Sequence, residues 1–368
     1  MHIGARQIGP DVSPYFIAEL GVNHDGDPAR ALELVRLAAG AGADAVKLQL
    51  FKADLLMSKA AKLAAYQKAA GETDPVEMLR RLELSIDDMT PCVELAHGLG
   101  IHAIVSVFSV ELVPVARTLP WDAYKSASPD IINRPLLDAL AATGKPLIIS
   151  TGASTLDEVE RAVEWLRSIG DRLAVLQCVS SYPTASNEAE LGGIMKLCEV
   201  FPGLRVGYSD HTPDEITGLD AANCGATILE KHFTYSRNAT GPDHAASLEP
   251  IGFSNYVNNA KVGRALPGMM TADMPIELRQ AMKYIEEPPP GVKPIKRVLP
   301  IEQDVRTVSR QSLTTTRDLP AGHVLARADL TIKRPGTGTP PFELEATLGK
   351  RLARAIGADM PLEARDLR

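Results

Sequence analysis

Two histidines in this chain are spaced to share one cation. His211 lies in Gly207-Tyr-Ser-Asp-His-Thr212 and His232 in Ile228-Leu-Glu-Lys-His-Phe-Thr234, 21 residues apart. That separation is one strand-helix-strand unit. A strand ends at His211, Ile216, Leu219 and Ala222 recur at helical spacing, and an apolar run restarts at 226–229. Both imidazoles therefore emerge at the same end of adjacent parallel strands, where two neutral nitrogens can hold a divalent ion. A lone strand-end histidine is more often a hydrogen-bonded structural residue. The pair, flanked by Ser209 and Asp210 and by Glu230 and Lys231, favours the metal reading.

A second set of residues suits an anion. Lys47 and Lys125 close two other strand-like runs, and Ser128, Ser150 and Ser209 stand near strand ends as hydroxyl donors. Fixed cations with hydroxyl neighbours match a phosphate or carboxylate. A lysine at such a position is alternatively a Schiff-base nucleophile, which the surrounding hydroxyls disfavour. Glu19 and Glu230 are placed to orient or deprotonate water. The bland alternative for Glu230 is a salt bridge with Lys47 or Lys231.

The elements that must position these residues are legible as alternation. Strand-like runs at 15–22, 45–51, 101–107, 123–127, 146–151, 173–179, 205–209 and 227–232 are separated by amphipathic stretches such as 29–41, 75–84, 135–143, 156–169, 191–200 and 251–264. Eight strands with intervening helices over about 250 residues predict a (β/α)8 TIM barrel, with chemistry at the strand C-termini. The expected divisions are a catalytic barrel over 1–265, a Pro-rich linker over 266–306 with a helix near 276–285, and a small β-rich module over 307–368. Pro288-Pro-Pro290 should make the linker stiff and hold the module away from its own barrel.

With 368 residues and 45% hydrophobic content, the chain can bury one large core and a smaller one. A net charge of -7, with no Lys/Arg run interleaved with aromatics, argues against a nucleic-acid partner. Cys92, Cys178, Cys198 and Cys224 are scattered, which suits structural thiols in a reducing cytoplasm. A signal-like N-terminal run and a membrane-length apolar run are both lacking, so no membrane partner is expected.

The clusters Ile17-Ala-Glu-Leu-Gly-Val-Asn-His24, Lys47-Leu-Gln49, Ser150-Thr-Gly152, Ser209-Asp-His-Thr212, Glu230-Lys-His-Phe-Thr234 and Gly241-Pro-Asp243 resemble the sialic acid synthase family. Asp318-Leu-Pro-Ala-Gly322 and Lys333-Arg-Pro-Gly-Thr-Gly338 resemble its antifreeze-like (SAF) domain. The resemblance implies condensation of phosphoenolpyruvate with a 2-acetamido sugar aldehyde such as N-acetylmannosamine, releasing phosphate. It also implies Mn²⁺ or a similar divalent ion, and a homodimer with exchanged C-terminal domains. Legionaminic-, pseudaminic- and spore-coat-type acceptors stay open, as does a non-catalytic carbohydrate-binding role. Gln49, Tyr182 and Asp243 match positions that hold acceptor hydroxyls. Arg310 resembles an arginine that meets the N-acyl carbonyl in the neighbouring site. Asp130 stands where the family carries a catalytic-site glutamate, after Pro129 instead of Gly, and Val107 stands where a threonine hydroxyl faces the phosphate.

Overall fold

A computed structural model describes residues 1–263 and 288–368. A short hairpin, β1 (His2–Ile3) and β2 (Arg6–Gln7), precedes the barrel. The barrel strands are β3 (Tyr15–Gly21), β4 (Ala45–Leu50), β5 (His102–Val107), β6 (Ala123–Ser126), β7 (Leu147–Ser150), β8 (Leu173–Cys178), β9 (Arg205–Asp210) and β10 (Ile228–His232). They pair in parallel as a closed barrel, β10 joining β3. The (β/α)8 expectation holds, strand by strand.

Helices follow the strands in order. Between β3 and β4 lies α1 (Pro28–Gly40); between β4 and β5 lie α2 (Ala53–Leu56), α3 (Ala65–Ala69), α4 (Pro75–Arg81) and α5 (Ile86–Gly98). Then come α6 (Val113–Ala116), α7 (Arg134–Ala141), α8 (Leu156–Trp165), α9 (Gly192–Val200), α10 (Thr217–Asn223) and α11 (Pro250–Gly263), one after each remaining strand. Their starts are chemically marked. Asp27 accepts from Ala29 N ahead of Pro28, and Ser85 and Thr155 form reciprocal caps with Asp88 and Glu158, satisfying N–H groups the first turn leaves free.

Side chains alternate across each strand, and this splits the barrel interior into layers. Ile17, Ala45, Ile104, Ala123, Ile148, Leu176 and Ile228 belong to one buried apolar plug. On β9 the plug position is Gly207, where a Cβ would lie 2.6 Å from Leu176 Cδ2 and 2.4 Å from the Ile228 carbonyl, so glycine fits the crowded axis. Two residues further along each strand stand Glu19, Lys47, Ser106, Lys125, Ser150, Cys178, Ser209 and Glu230. The outward residues, among them Val46, Val105, Val107, Ile149, Val175 and Leu229, pack in the core beneath the helices.

The C-terminal module is built on antiparallel β11 (Ser312–Thr315) and β12 (Leu330–Lys333), around Leu313, Leu319, Leu330, Leu344, Leu352 and Leu362. It caps the barrel mouth of its own chain. Arg334 N donates to Leu56 O and Ser58 N to Arg334 O. Asn133 Nδ2 donates to Gln311 Oε1, and Gln311 Nε2 to Phe108 O. The expectation that a stiff linker holds the module off its own barrel is corrected for the single chain. The described part of that segment lies along the barrel, with Lys296 Nζ donating to Thr151 O and Arg297 paired with Glu190. The helix expected near 276–285 lies outside the described residues.

Candidate active site

The pocket at the strand C-termini gathers most of the residues selected from the sequence: Glu19, Lys47, Gln49, Lys125, Ser128, Ser150, Tyr182, Ser209, His211, Glu230, His232 and Asp243 all line it. Parallel strands ending at one level put them there.

At one end the charges are tightly paired. Lys47 Nζ lies 2.7 Å from Glu19 Oε2 and 2.8 Å from Glu230 Oε1, with Lys125 Nζ 3.8 Å from the same Glu230 oxygen. Lys125 also donates to Ser150 Oγ at 2.5 Å and to Ser126 O at 2.8 Å, Ser209 Oγ donates to Glu230, and Gly152 N donates to Ser128 Oγ. Burial, only partly offset by Glu230, brings Lys47 down to about 8, so it remains a cation at pH 7. Burial alone would raise Glu230, but the Lys125 and Lys47 ammonium groups hold its carboxyl down at about 2. The salt bridge with Lys47 is thus present, whereas Lys231 instead pairs with Asp210 at 2.9 Å.

At the other end the His211 and His232 ring centroids stand 5.3 Å apart, with the Tyr182 ring centroid 4.1 Å from that of His211 at a tilt of 35°. His211 Nδ1 donates to Val179 O at 2.7 Å, which leaves Nε2 bare. His232 Nδ1 is buried without a hydrogen-bond partner, Asp243 Oδ2 being 3.6 Å away. Burial, with His211 and Lys47 adding repulsion, holds His232 well below its ordinary value and hence neutral. Among the described residues no three His, Cys, Asp or Glu side chains cluster as a metal site. His211 Nε2 and the unpartnered His232 Nδ1 nevertheless fit a divalent ion, which would replace the proton that Cys178 and the Val179 carbonyl favour on His211 and would have its remaining positions filled by water and substrate oxygens. Burial raises Asp243 to about 6, against the pull of His211 and His244.

Three sequence expectations change. Arg310 does not line the pocket; it is buried behind it, its Nη1 2.6 Å from Glu158 Oε1. The arginine in the pocket is Arg334, from Lys333-Arg-Pro-Gly-Thr-Gly338, with its guanidinium 5.9 Å from the Phe108 ring centroid. Asp130 is buried outside the lining, one carboxylate oxygen unpaired, and burial raises it to about 7 despite Arg334 and Lys125. Val107 faces the outer core, so the hydroxyl that β5 gives the pocket is that of Ser106.

The sequence reading also missed a wall. Val22, Phe51, Leu56, Met78, Leu79, Leu82 and Phe108 line the pocket beside Tyr66 and Arg334. Leu56, Met78 and Leu79 come from α2 and α4, helices inserted between β4 and α5, whose apolar residues read from sequence as ordinary core. Ser180, after β8, adds a further hydroxyl.

Comparison with known proteins agrees with this architecture. The NeuB family profile matches residues 34–270, and the SAF domain profile matches 310–368. The chain is 37% identical to N,N'-diacetyllegionaminic acid synthase of Legionella pneumophila, over 98% of this chain and 96% of the relative. It is 34% identical to the Campylobacter jejuni protein of the same name, over 91% and 94%. The crystal structure of spore coat polysaccharide biosynthesis protein SpsE from Bacillus subtilis superposes with a TM-score of 0.81 at 26% identity, covering 100% of this chain and 99% of that one.

Proposed function

The chain belongs to the NeuB family, and from that premise and the geometry of its barrel mouth we propose that it condenses phosphoenolpyruvate with the open-chain aldehyde of a 2-acetamido sugar. The enol C3 bonds to the aldehyde carbon, water adds at C2, and phosphate leaves with C–O cleavage, giving a nonulosonic 3-deoxy-2-keto acid. One observation carries the reading: a single pocket separates a lysine–hydroxyl end from an imidazole–carboxylate end.

Lys47 and Lys125, with Ser106, Ser128, Ser150 and Ser209, supply cations and donors to the phosphate and carboxylate of phosphoenolpyruvate. An arriving anion displaces carboxylates that now occupy those lysines, which leaves Glu19 and Glu230 to orient and deprotonate the attacking water. His211 and His232 would hold a divalent cation, Mn²⁺ in this proposal, which when bound polarises the acceptor's carbonyl oxygen. Gln49, Tyr182 and Asp243 bind acceptor hydroxyls, and Arg334 takes the N-acyl role that the sequence had assigned to Arg310. Because the pocket is completed by Ser309 and Arg334, a homodimer in which the modules are exchanged presents the same residues to each mouth. A phosphoenolpyruvate substrate suits a cytoplasmic enzyme, and among the described residues no helix is long and apolar enough to cross a membrane.

The apolar wall bears on the acceptor. A phosphorylated sugar would set a dianion against Phe51, Leu56, Met78, Leu79 and Leu82, where Arg334 is the cation at that end of the lining. Methyl and acylamido substituents fit it better, as in the diacetamido, trideoxy aldoses that lead to legionaminic-type acids. The test is kcat/KM with such an aldose beside N-acetylmannosamine and its 6-phosphate. The expected order places the diacetamido aldose at least about tenfold ahead, the scale of one or two buried methyl groups. Preference for the 6-phosphate would reverse the acceptor assignment.

A further inference from the structure

The loops that bring hydroxyls to the anion end of the pocket are held from behind by one segment of the chain. Lys296 Nζ donates to Thr151 O at 2.7 Å, and Arg306 and Arg310 both donate to Ala153 O. Glu302, on the turn Pro300–Glu302 that leads into the helix Gln303–Ser309, is 1% exposed. Its Oε1 accepts from Ala153 N at 2.6 Å and from Ser180 N at 2.7 Å, while Oε2 accepts from Leu299 N at 2.8 Å. One buried oxygen therefore ties the loop after β7 to the loop after β8. Those loops are in close approach: a Cβ on Gly152 would lie 2.2 Å from Ser180 Oγ and 2.9 Å from Ser128 Oγ. Ala153, at φ +50°, holds a left-handed conformation that non-glycine residues keep only when their surroundings impose it.

We propose that Glu302 is a positioning residue for phosphoenolpyruvate: it touches no substrate, but by clamping Ala153 and Ser180 it makes Ser128, Ser150 and Ser180 converge with Lys125 on one anion. A carboxylate suits the task, since one of its oxygens can accept two N–H groups that burial would otherwise leave unpaired. Apart from Tyr182 and the Val179 carbonyl that holds His211, both on the loop after β8, the acceptor end is anchored elsewhere. Gln49 donates to Glu19, Ser247 Oγ donates to Asp243 O, and His244 meets Asp25 at 3.0 Å. Losing the clamp should therefore separate the two substrates kinetically. The inference rests on the reading that this end binds phosphoenolpyruvate.

The experiment measures KM for each substrate, together with calorimetric binding of phosphoenolpyruvate in the absence of acceptor, for the full-length protein and three variants. Glu302→Ala should raise the phosphoenolpyruvate KM and dissociation constant about ten- to hundredfold, the cost of misplacing binding groups by about 1 Å, with the acceptor KM within about threefold. Glu302→Gln retains a carbonyl oxygen for the two N–H groups and should recover most of the loss. Lys296→Met should shift phosphoenolpyruvate affinity in the same direction by less, and this variant decides the matter if Glu302→Ala does not fold. Unchanged affinity in all three variants, or an equal rise in both KM values, overturns the positioning role while leaving the assigned reaction standing. Failure of the wild-type protein to bind phosphoenolpyruvate at all overturns both.

Discussion

The lower and upper layers of the barrel interior come from the same eight strands, two residues apart. Ile17, Ala45, Ile104, Ala123, Ile148, Leu176, Gly207 and Ile228 fill the lower layer; Glu19, Lys47, Ser106, Lys125, Ser150, Cys178, Ser209 and Glu230 form the upper. Both are buried. The lower gains from leaving water, whereas the upper pays desolvation for every charge and recovers it by pairing. A fold that holds stability and chemistry on alternate inward positions can alter one with little effect on the other, so substitutions in the two layers should have separable consequences.

The largest effect is expected at the rim. His211→Gln or His232→Gln should abolish turnover and weaken Mn²⁺ binding, with far-UV circular dichroism and thermal midpoint near wild type. Full activity in either variant would deny the paired imidazoles a part in the reaction. Ile148→Ala, in the lower layer, should do the converse, costing about 2–5 kcal/mol in urea unfolding with KM values of the folded fraction unchanged. A change in substrate KM without loss of stability there would dissolve the division between layers.

Lys47 sharpens it through pH. Its ammonium titrates at about 8 in the folded protein, below the ordinary value, so the charge is present under pH 7 and is lost as pH rises through about 8. The phosphoenolpyruvate KM should be flat below that point and climb above it, while Lys47→Arg stays flat because guanidinium does not deprotonate. Lys125→Met should raise the same KM by about ten- to hundredfold, a loss of roughly 1.5–3 kcal/mol. The last effect concerns Asp130, raised to about 7 by burial. Its contribution to stability is complete below the unfolded carboxyl pKa and is lost as pH rises toward 7, because the folded state retains the proton that the unfolded state has released. Asp130→Asn should therefore gain on wild type by roughly 1.4 kcal/mol per pH unit between about pH 5 and pH 7 and level off above that, read from paired urea midpoints.

The strands were legible because a hydrophobic run ending in a polar cluster, repeated along the chain with helical spacing between, suits little besides parallel strands that open at one end of a barrel. Every predicted strand falls within two residues of its observed ends. Helix α5 escaped notice because Pro91 interrupts its pattern. Arg334 was missed, though its motif was seen, because nothing in the sequence says that β12 ends over Leu56 and Phe108; that is set by docking between Ser58 and Arg334, 276 residues apart. The apolar wall was hidden for the same reason, as a leucine lining a cavity has the same local signature as one filling a core. Glu302 carried no signal, since its partners are backbone N–H groups that any sequence supplies.

The most direct test is incubation of the protein with phosphoenolpyruvate and a 2-acetamido aldose, with and without Mn²⁺, following phosphate and 2-keto acid together. Equal amounts of the two products, appearing only when both substrates are present, are the predicted result. Absence of phosphate release with every aldose, or a lysine adduct trapped by borohydride, would contradict the assignment of Lys47 and Lys125 to an anion and of the pocket to this condensation.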